Sequence, residues 1–436
     1  MKLQNILGID FILFFPAVTL TVFGILFIYS SGINASGVQV SNEYIRQIIF
    51  AAFGLVLALV LAMINYRRLY EISVYLYLGT LALLAYTCLF GREVSGARAW
   101  IGIGSFGIQP SEFAKITSII LLARYLDSTR RNPNSFLRFV LSCAIVFIPM
   151  GLILLQPDFG TSLVFIPILL VMTFIAGISI KYILFFVSCI ALTGFLMALP
   201  LWQTYIMRNP ASSLSILMNL RFVAITTLSL LVVLLIALFG FFRYRKRYFY
   251  WIVYAAAIVI LSLGLSFLSH KALKDYQIMR LIVFLDPNVD PQGSGWNIIQ
   301  SITAIGSGGF WGKGYLQGTQ SHYRFLPQQS TDFIFSIYTE EWGYAGALLA
   351  FVLFLLISIR LVRIMRTTTD TFGSFIAAGL SSVYIFHFLI NVGMTMGIMP
   401  ITGIPLLFMS YGGSAMVSAM SGVGLALSIN MRRYQH

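Results

Sequence analysis

LRFVAITTLSLLVVLLIALFGFF, residues 220–242, decides the class of this protein. After Arg221 no charge follows until Arg243, and a helix needs about 20 such apolar residues to cross a hydrocarbon core of about 30 Å. Working outward, the basic turn Arg243–Arg247 leads into a second apolar run, 248–269, and similar runs recur to both ends of the chain. Spans are expected at 10–30, 47–64, 71–90, 112–126, 137–155, 159–178, 181–200, 220–242, 248–269, 332–358, 372–396 and 403–430. The expected fold is all-α, a single polytopic membrane domain over 1–436 with about twelve transmembrane helices. Composition agrees: 59% of the 436 residues are hydrophobic and 14 are Asp or Glu. The first apolar run is too long for a signal-peptide core and holds Pro16, so insertion without cleavage is expected.

Short cytoplasmic loops keep an excess of Lys and Arg. With the N-terminus inside, alternate loops hold Arg67 and Arg68; Arg130, Arg131 and Arg138; Lys181; Arg243, Arg245, Lys246 and Arg247; Arg360, Arg363 and Arg366; and Arg432 and Arg433. Both termini are then cytoplasmic, and the net charge of +14 is mostly a topology signal. No soluble basic module exists to offer phosphate contacts, which argues against a nucleic-acid partner. Glu93, Glu112, Asp158, Asp275, Asp286, Asp290, Asp332, Glu340 and Glu341 gather toward the outer side. Cys88, Cys143 and Cys189 lie in apolar helices without paired spacing and read as packing residues. His270, His322, His387 and His436 form no ligand pattern, so no metal centre is expected.

Three outer clusters concentrate the unusual polar residues. The first, GREVSGARAWIGIGSFGIQPSEFAK over 91–115, reads as a Gly-rich loop entering a helix near Pro110. Glu112 and Lys115 share one face of that helix and form either a functional pair or a structural ion pair. The second, Gln156 to Thr161, has Asp158 where capping alone is a sufficient account. The third runs from 270 to 331. It opens on KALKDYQIMRLIVFLDP, an interfacial amphipathic helix offering Lys271, Lys274 and Arg280 to phosphates. Two Asp-Pro pairs follow, at Asp286 and Asp290, then glycines at 306, 308, 309, 312 and 314 that permit close backbone approach to a ligand or serve tight turns and helix breaks. An outer segment this long and this apolar reads as functional.

The strings ARAWIGIGSFGIQPSEFAK, QPDFGTS, FLDPNVDPQGSGWNIIQSITAIGSGGFWGKG, GTQSHYRFLPQQSTDFIF, EEWGYAG and MPITGIPLLFMSYGGSAM, in that order, resemble the SEDS (shape, elongation, division and sporulation) family of bacterial cell-wall polymerases. The likeness is to its RodA branch more than its FtsW branch, on GTQS and the doubled DP. It implies a peptidoglycan glycosyltransferase in which the growing glycan, held on undecaprenyl pyrophosphate, is transferred to lipid II during cell elongation. Asp290 matches the family's essential carboxylate and is the implied catalytic base. Arg46, Arg98, Trp100, Glu112, Lys115, Asp158, Arg280, Asp286, Lys313, Thr331 and Asp332 are the implied substrate-binding set. Arg46, Arg98, Lys115, Arg280, Lys313 and Arg324 are available to the leaving pyrophosphate. A divalent cation, Mg or Mn, is a candidate to share that task, although no ligand cluster announces one. Implied partners are a class B penicillin-binding protein and rod-complex membrane proteins.

The sequence departs from the family at Ser330, where His is common, at Trp296, where Tyr is usual, and over 201–269, an inserted loop and helix pair. Most members have about ten spans, and an even number of added crossings leaves Asp290 and the catalytic loop of 270–331 outside. Without intramembrane acids, the inserted pair is expected to pack peripherally. Two rival readings are a lipid II flippase and a scaffold for the transpeptidase. Transport sites lie near the midplane, whereas these acids gather on one face, and a scaffold leaves the carboxylate loop without a purpose.

Overall fold

The computed structural model describes residues 10–94, 96–103, 106–206, 219–272 and 275–433, and they form two compact units, 1–178 with 300–436, and 179–299. In the first unit, α1 (Phe11–Ser31), α2 (Glu43–Met63), α3 (Arg68–Phe90), α4 (Pro110–Ser128), α5 (Phe136–Leu155), α6 (Phe159–Leu163) and α7 (Phe165–Ile175) precede the chain's exit. Helix α12 (Ser294–Ser307) contains the division between units. The first unit then continues with α13 (Thr319–His322), α14 (Ile334–Thr367), α15 (Thr371–Thr395) and α16 (Gly413–Met431). The second unit holds α8 (Ile180–Leu201), α9 (Leu220–Tyr244), α10 (Arg247–Ala272), α11 (Asp275–Leu285) and a 3₁₀ turn, Pro287–Val289.

Among the described residues ten helices are long and apolar enough to cross a membrane: α1, α2, α3, α5, α8, α9, α10, α14, α15 and α16. Of the two further expected spans, one forms a helix of lower hydropathy and the other a broken one. Helix α4 has the length, but Glu112, Lys115, Arg124 and Asp127 lower its hydropathy. The run 159–178 breaks at Val164 into α6 and α7. The last span begins at Gly413 rather than 403, because 401–406 is irregular and 407–409 forms a turn. The loop expected at 91–109 is an antiparallel sheet, β1 (Arg92–Val94), β2 (Ala97–Ile103) and β3 (Phe106–Ile108), in the order β1-β2-β3.

Helices α15 and α16 are the buried centre of the first unit. Small residues let neighbours approach where lipid supplies no hydrophobic driving force. A Cβ on Gly424 of α16 would lie 2.5 Å from the Ala58 carbonyl of α2, and one on Gly24 of α1 would lie 2.5 Å from the Met409 carbonyl. Arg138 of α5 is buried and donates to the carbonyls of Leu126, Pro133 and Ala176 and to Thr129 Oγ1.

In the second unit α10 packs on α8 and α9. Tyr254 donates to the Lys181 carbonyl (2.8 Å), and Ser262 to that of Cys189 (3.2 Å). The turn after α9 places Arg245 at φ 53°, and Leu228, Leu235, Ile236, Phe239 and Phe242 stay exposed, as suits lipid-facing helices. Residues 207–218 of the expected insertion lie outside the described residues.

Gly424→Val is expected to lower stability by about 1–3 kcal/mol by overpacking α2 against α16. Gly79→Ala, where a Cβ meets nothing within 4 Å, is expected to leave it unchanged. Thermal unfolding in detergent reads both.

Candidate active site

The two Asp-Pro carboxylates lie in the second unit and do different things. Asp286 caps the 3₁₀ turn, its Oδ1 accepting from Asn288 N (2.9 Å) and Nδ2 (3.1 Å), which is a loop-ordering role. Half-buried Asp290 follows that turn. Its Oδ1 accepts from Gly293 N (3.1 Å), and its carbonyl accepts from Gly295 N (2.9 Å). A Cβ on Gly293 would fall 2.3 Å from Asp290 Oδ2, and one on Gly295 would fall 2.2 Å from the Pro287 carbonyl. The glycines of PQGSG are therefore needed for the loop to fold back on its own carboxylate. Arg280, on α11 of the same unit, precedes them. Lys274 lies outside the described residues, as does the Lys271 side chain.

The first unit gathers Glu112, Lys115, Asp158, Thr331 and Asp332 around the irregular segment 401–412. Lys115 Nζ donates to Glu112 Oε2 at 2.7 Å, with both side chains almost fully buried. It also lies 3.2 Å from His387 Nε2, whose Nδ1 is 3.0 Å from the Pro405 carbonyl. A cavity of about 10 Å³, room for about one water, adjoins Glu112 and Lys115. Asn391 Nδ2 donates to the carbonyls of Ile404 (2.8 Å) and Asp332 (3.0 Å). The Thr331 carbonyl accepts from Ser410 Oγ (2.6 Å). Asp332 Oδ2 would lie 3.6 Å from a Cβ on Gly403. Asp158 caps α6, accepting from Thr161 N (3.1 Å) and Oγ1 (2.8 Å), and takes Gln109 Nε2 at 2.8 Å. Desolvation raises its pKa, the largest of the causes acting on it.

Gly308 and Gly312 of the Gly-rich run approach the backbone of α14 closely, at a helix break. Helix α14 breaks at Gly343 (φ 63°), which frees backbone groups on either side. Residues 309–314 supply the partners: Lys313 N and Gly314 N donate to the carbonyls of Glu340 (3.1 Å) and Glu341 (3.0 Å). Tyr344 N and Ala345 N donate to those of Gly309 (2.9 Å) and Phe310 (3.0 Å). A Cβ on Gly312 (φ 83°) would sit 2.0 Å from the Glu341 carbonyl. Lys313, expected at the pyrophosphate, donates to Glu340 Oε1 (2.7 Å) and Thr319 Oγ1 (2.7 Å). Glu340 also accepts from Thr319 N and Gln320 N, and Glu341 from Ser30 Oγ and Leu316 N.

Arg98 pairs with Glu93 (3.5 Å) on the exposed sheet, where Trp100 lies over Gly107. Arg46 is half-buried on α2. Next to it, Gln47 donates to the Ser410 carbonyl (3.1 Å) and accepts from Gly412 N (3.2 Å). Sequence reasoning does not single out Gln47, His387 or Asn391. The detectable signal is a polar side chain on an apolar helix, which calls for a partner. Among the described residues no three His, Cys, Asp or Glu side chains gather to hold a metal ion.

The family model for FtsW, RodA and SpoVE, described as "Cell cycle protein", matches residues 11–210 and 211–435. The chain belongs to this family. Peptidoglycan glycosyltransferase RodA of Treponema pallidum (strain Nichols) is 48% identical over 433 residues, covering 99% of this chain and 100% of the relative. Peptidoglycan glycosyltransferase MrdB of Escherichia coli (strain K12) is 31% identical over 410 residues, 94% and 91% of the two chains. A chain from a structure described as "Structural coordination of polymerization and crosslinking by a peptidoglycan synthase complex" has a TM-score of 0.66 at 26% identity, covering 98% and 99%. The crystal structure of Thermus thermophilus RodA, at 0.60 and 23% identity over 98% of each chain, shares the fold.

Lys115→Met is expected to cost about 3–5 kcal/mol by leaving Glu112 buried and unpaired, and Glu112→Leu with Lys115→Met to recover most of that loss. Thermal unfolding of the two purified variants distinguishes these outcomes.

Proposed function

We propose that this chain is a peptidoglycan glycosyltransferase that lengthens glycan strands during cell elongation, with Asp290 as general base. The observation that carries this is the 48% identity, end to end, with a relative named for that activity. The glycan's terminal sugar is held at its anomeric carbon by undecaprenyl pyrophosphate, and lipid II offers a 4-hydroxyl. As the hydroxyl oxygen bonds to the anomeric carbon, its proton passes to Asp290. The bond to pyrophosphate breaks, and the α-linkage inverts to β. A positioned carboxylate contributes about 10²–10⁴-fold to such a step. Asp290 suits the role because its carboxylate is fixed by a neighbouring backbone N–H while remaining half-exposed.

The departing pyrophosphate needs cationic partners. Lys313 and Lys115 are each paired with a buried carboxylate and Arg98 with the exposed Glu93, which favours Arg46 and Arg324 over them for that task; Arg280 stays a candidate on the resemblance. Glu112, Asp158, Thr331 and Asp332 surround the 401–412 segment and would shape the path of the lipid-linked sugars. An Mg or Mn ion sharing the pyrophosphate charge is part of the proposal, without a protein ligand cluster assigned to it. The proposal includes cytoplasmic termini, supported by the distribution of Lys and Arg, and a bacterial inner membrane, supported by the resemblance to cell-wall polymerases.

Asp290→Asn is expected to insert and fold normally and to polymerise fluorescent lipid II about 10²–10⁴-fold more slowly. Asp286→Asn should lose far less. Gly293→Ala, which crowds the carboxylate without removing it, should fall between the two. A rate within a few fold of wild type for Asp290→Asn would remove Asp290 from the mechanism.

A class B penicillin-binding protein is proposed as partner, and rod-complex membrane proteins as further associates. Support comes from the structural relative that belongs to a peptidoglycan synthase complex coordinating polymerisation with crosslinking. Binding is expected to raise the polymerase rate by favouring the competent arrangement of the catalytic loop. Equal rates with and without the transpeptidase, under conditions where the complex forms, would refute it.

A further inference from the structure

At the end of the first unit opposite Asp158, a cavity of about 490 Å³ opens between the C-terminal end of α4 and the turn from α14 into α15. Its lining is polar and includes Asp127, Ser128, Arg130, Arg131, Asp370 and Thr371. The charges in it are not equivalent. Asp127 accepts a hydrogen bond from Thr371 Oγ1. Asp370 accepts from Tyr66 OH (2.8 Å) and Gly373 N (3.3 Å) and has Arg67 at 4.0 Å. Both carboxylates are therefore committed to groups of the protein. Arg130 and Arg131 are exposed, and among the described residues neither guanidinium has a side-chain partner. The first turn of the 25-residue helix α15 also opens onto the cavity at Thr371, with its positive dipole end.

Two adjacent guanidinium forks beside a polar hollow, with the Asp370-capped first turn of α15 at its edge, make a receptor for a phosphate ester, since the fork geometry matches phosphate oxygens in pairs. We infer that this cavity binds the phosphate group of an anionic ligand, held by Arg130 and Arg131. The chemistry is shared by the headgroup of an anionic phospholipid in the adjacent leaflet and by a soluble phosphate or pyrophosphate. Topology alone accounts for positive charge in this loop but not for a cavity in which the acids are held by hydrogen bonds from the protein and the arginines are left open.

The test titrates the purified full-length chain in detergent with short-chain phosphatidylglycerol, with phosphatidylcholine of matched chain length, and with inorganic pyrophosphate, reading thermal stabilisation. Saturable stabilisation by phosphatidylglycerol and not by phosphatidylcholine assigns the site to lipid; stabilisation by pyrophosphate assigns it to a soluble ligand. Arg130→Gln with Arg131→Gln should raise the half-saturating concentration about 10-fold or more, as expected for losing a bidentate charged contact. Arg130→Lys with Arg131→Lys keeps the charge and the topology signal but loses the forks, and should weaken binding measurably. Arg243→Gln with Arg245→Gln, in the basic turn of the second unit, should leave the curve unchanged. The inference is overturned if no probe stabilises the protein, if the glutamine pair binds as wild type does, if the lysine pair matches wild type, or if the control pair weakens binding equally.

Discussion

Non-helical backbone buried inside a membrane protein has to find hydrogen-bond partners within the protein, because hydrocarbon offers none. Two stretches of the first unit violate regular helix geometry in the buried interior: residues 401–412, and the break in α14 at Gly343. Several buried polar side chains of the unit answer to the first. His387 and Asn391 from α15, Gln47 from α2 and Ser410 within the segment bond the carbonyls and N–H groups of 404–412. The glycine turn at 309–314 does the same for α14 by backbone alone. Positions that look like a scatter of polar residues along apolar helices form a coherent set of caps.

That origin separates the charges by purpose. Lys115 is held between Glu112 and the imidazole of His387, which is itself committed to the Pro405 carbonyl, so the ion pair is joined to the irregular segment through one intermediary. Glu340 and Glu341 organise residues 313–322. Asp158 and Asp286 each cap a short helical turn. Asp290 differs in being half-exposed on a loop whose glycines are dictated by its own carboxylate, an arrangement suited to meeting a hydroxyl from outside the protein.

Much of this was legible in the sequence because span length is a physical quantity that composition reports directly. Ten of the expected runs coincide with apolar helices to within a few residues, apart from the ends of the longest and of the last. The run 112–126 is a helix as expected, its hydropathy lowered by a buried ion pair, whereas 159–178 is interrupted by a break that hydropathy alone does not report. The alternation in ARAWIGI is masked by Gly102 and by the glycines around the stretch and reads as loop, although Trp100 lies over Gly107 of the neighbouring strand. The glycines at 309–314 carry the message of close approach but not its partner, since nothing local reveals that Gly343 breaks a helix thirty residues downstream. Single histidines and asparagines carry no period, so His387 and Asn391 become meaningful only when 401–412 is placed beside them.

The paired carboxylates at the start of α14 also bear on the order in which the molecule is made. Glu340 and Glu341 are fully enclosed, and each unpaired charge within a bilayer costs on the order of 2–3 kcal/mol or more. One set of partners, residues 313–322, leaves the ribosome just before them, whereas the other, Ser30, belongs to the first helix synthesised. The N-terminal helix must therefore stay laterally accessible until about three-quarters of the chain has been made. Biogenesis closes this unit by joining α1 to a helix made 311 residues later, so premature sealing of α1 against its sequence neighbours is a misassembly that this contact opposes.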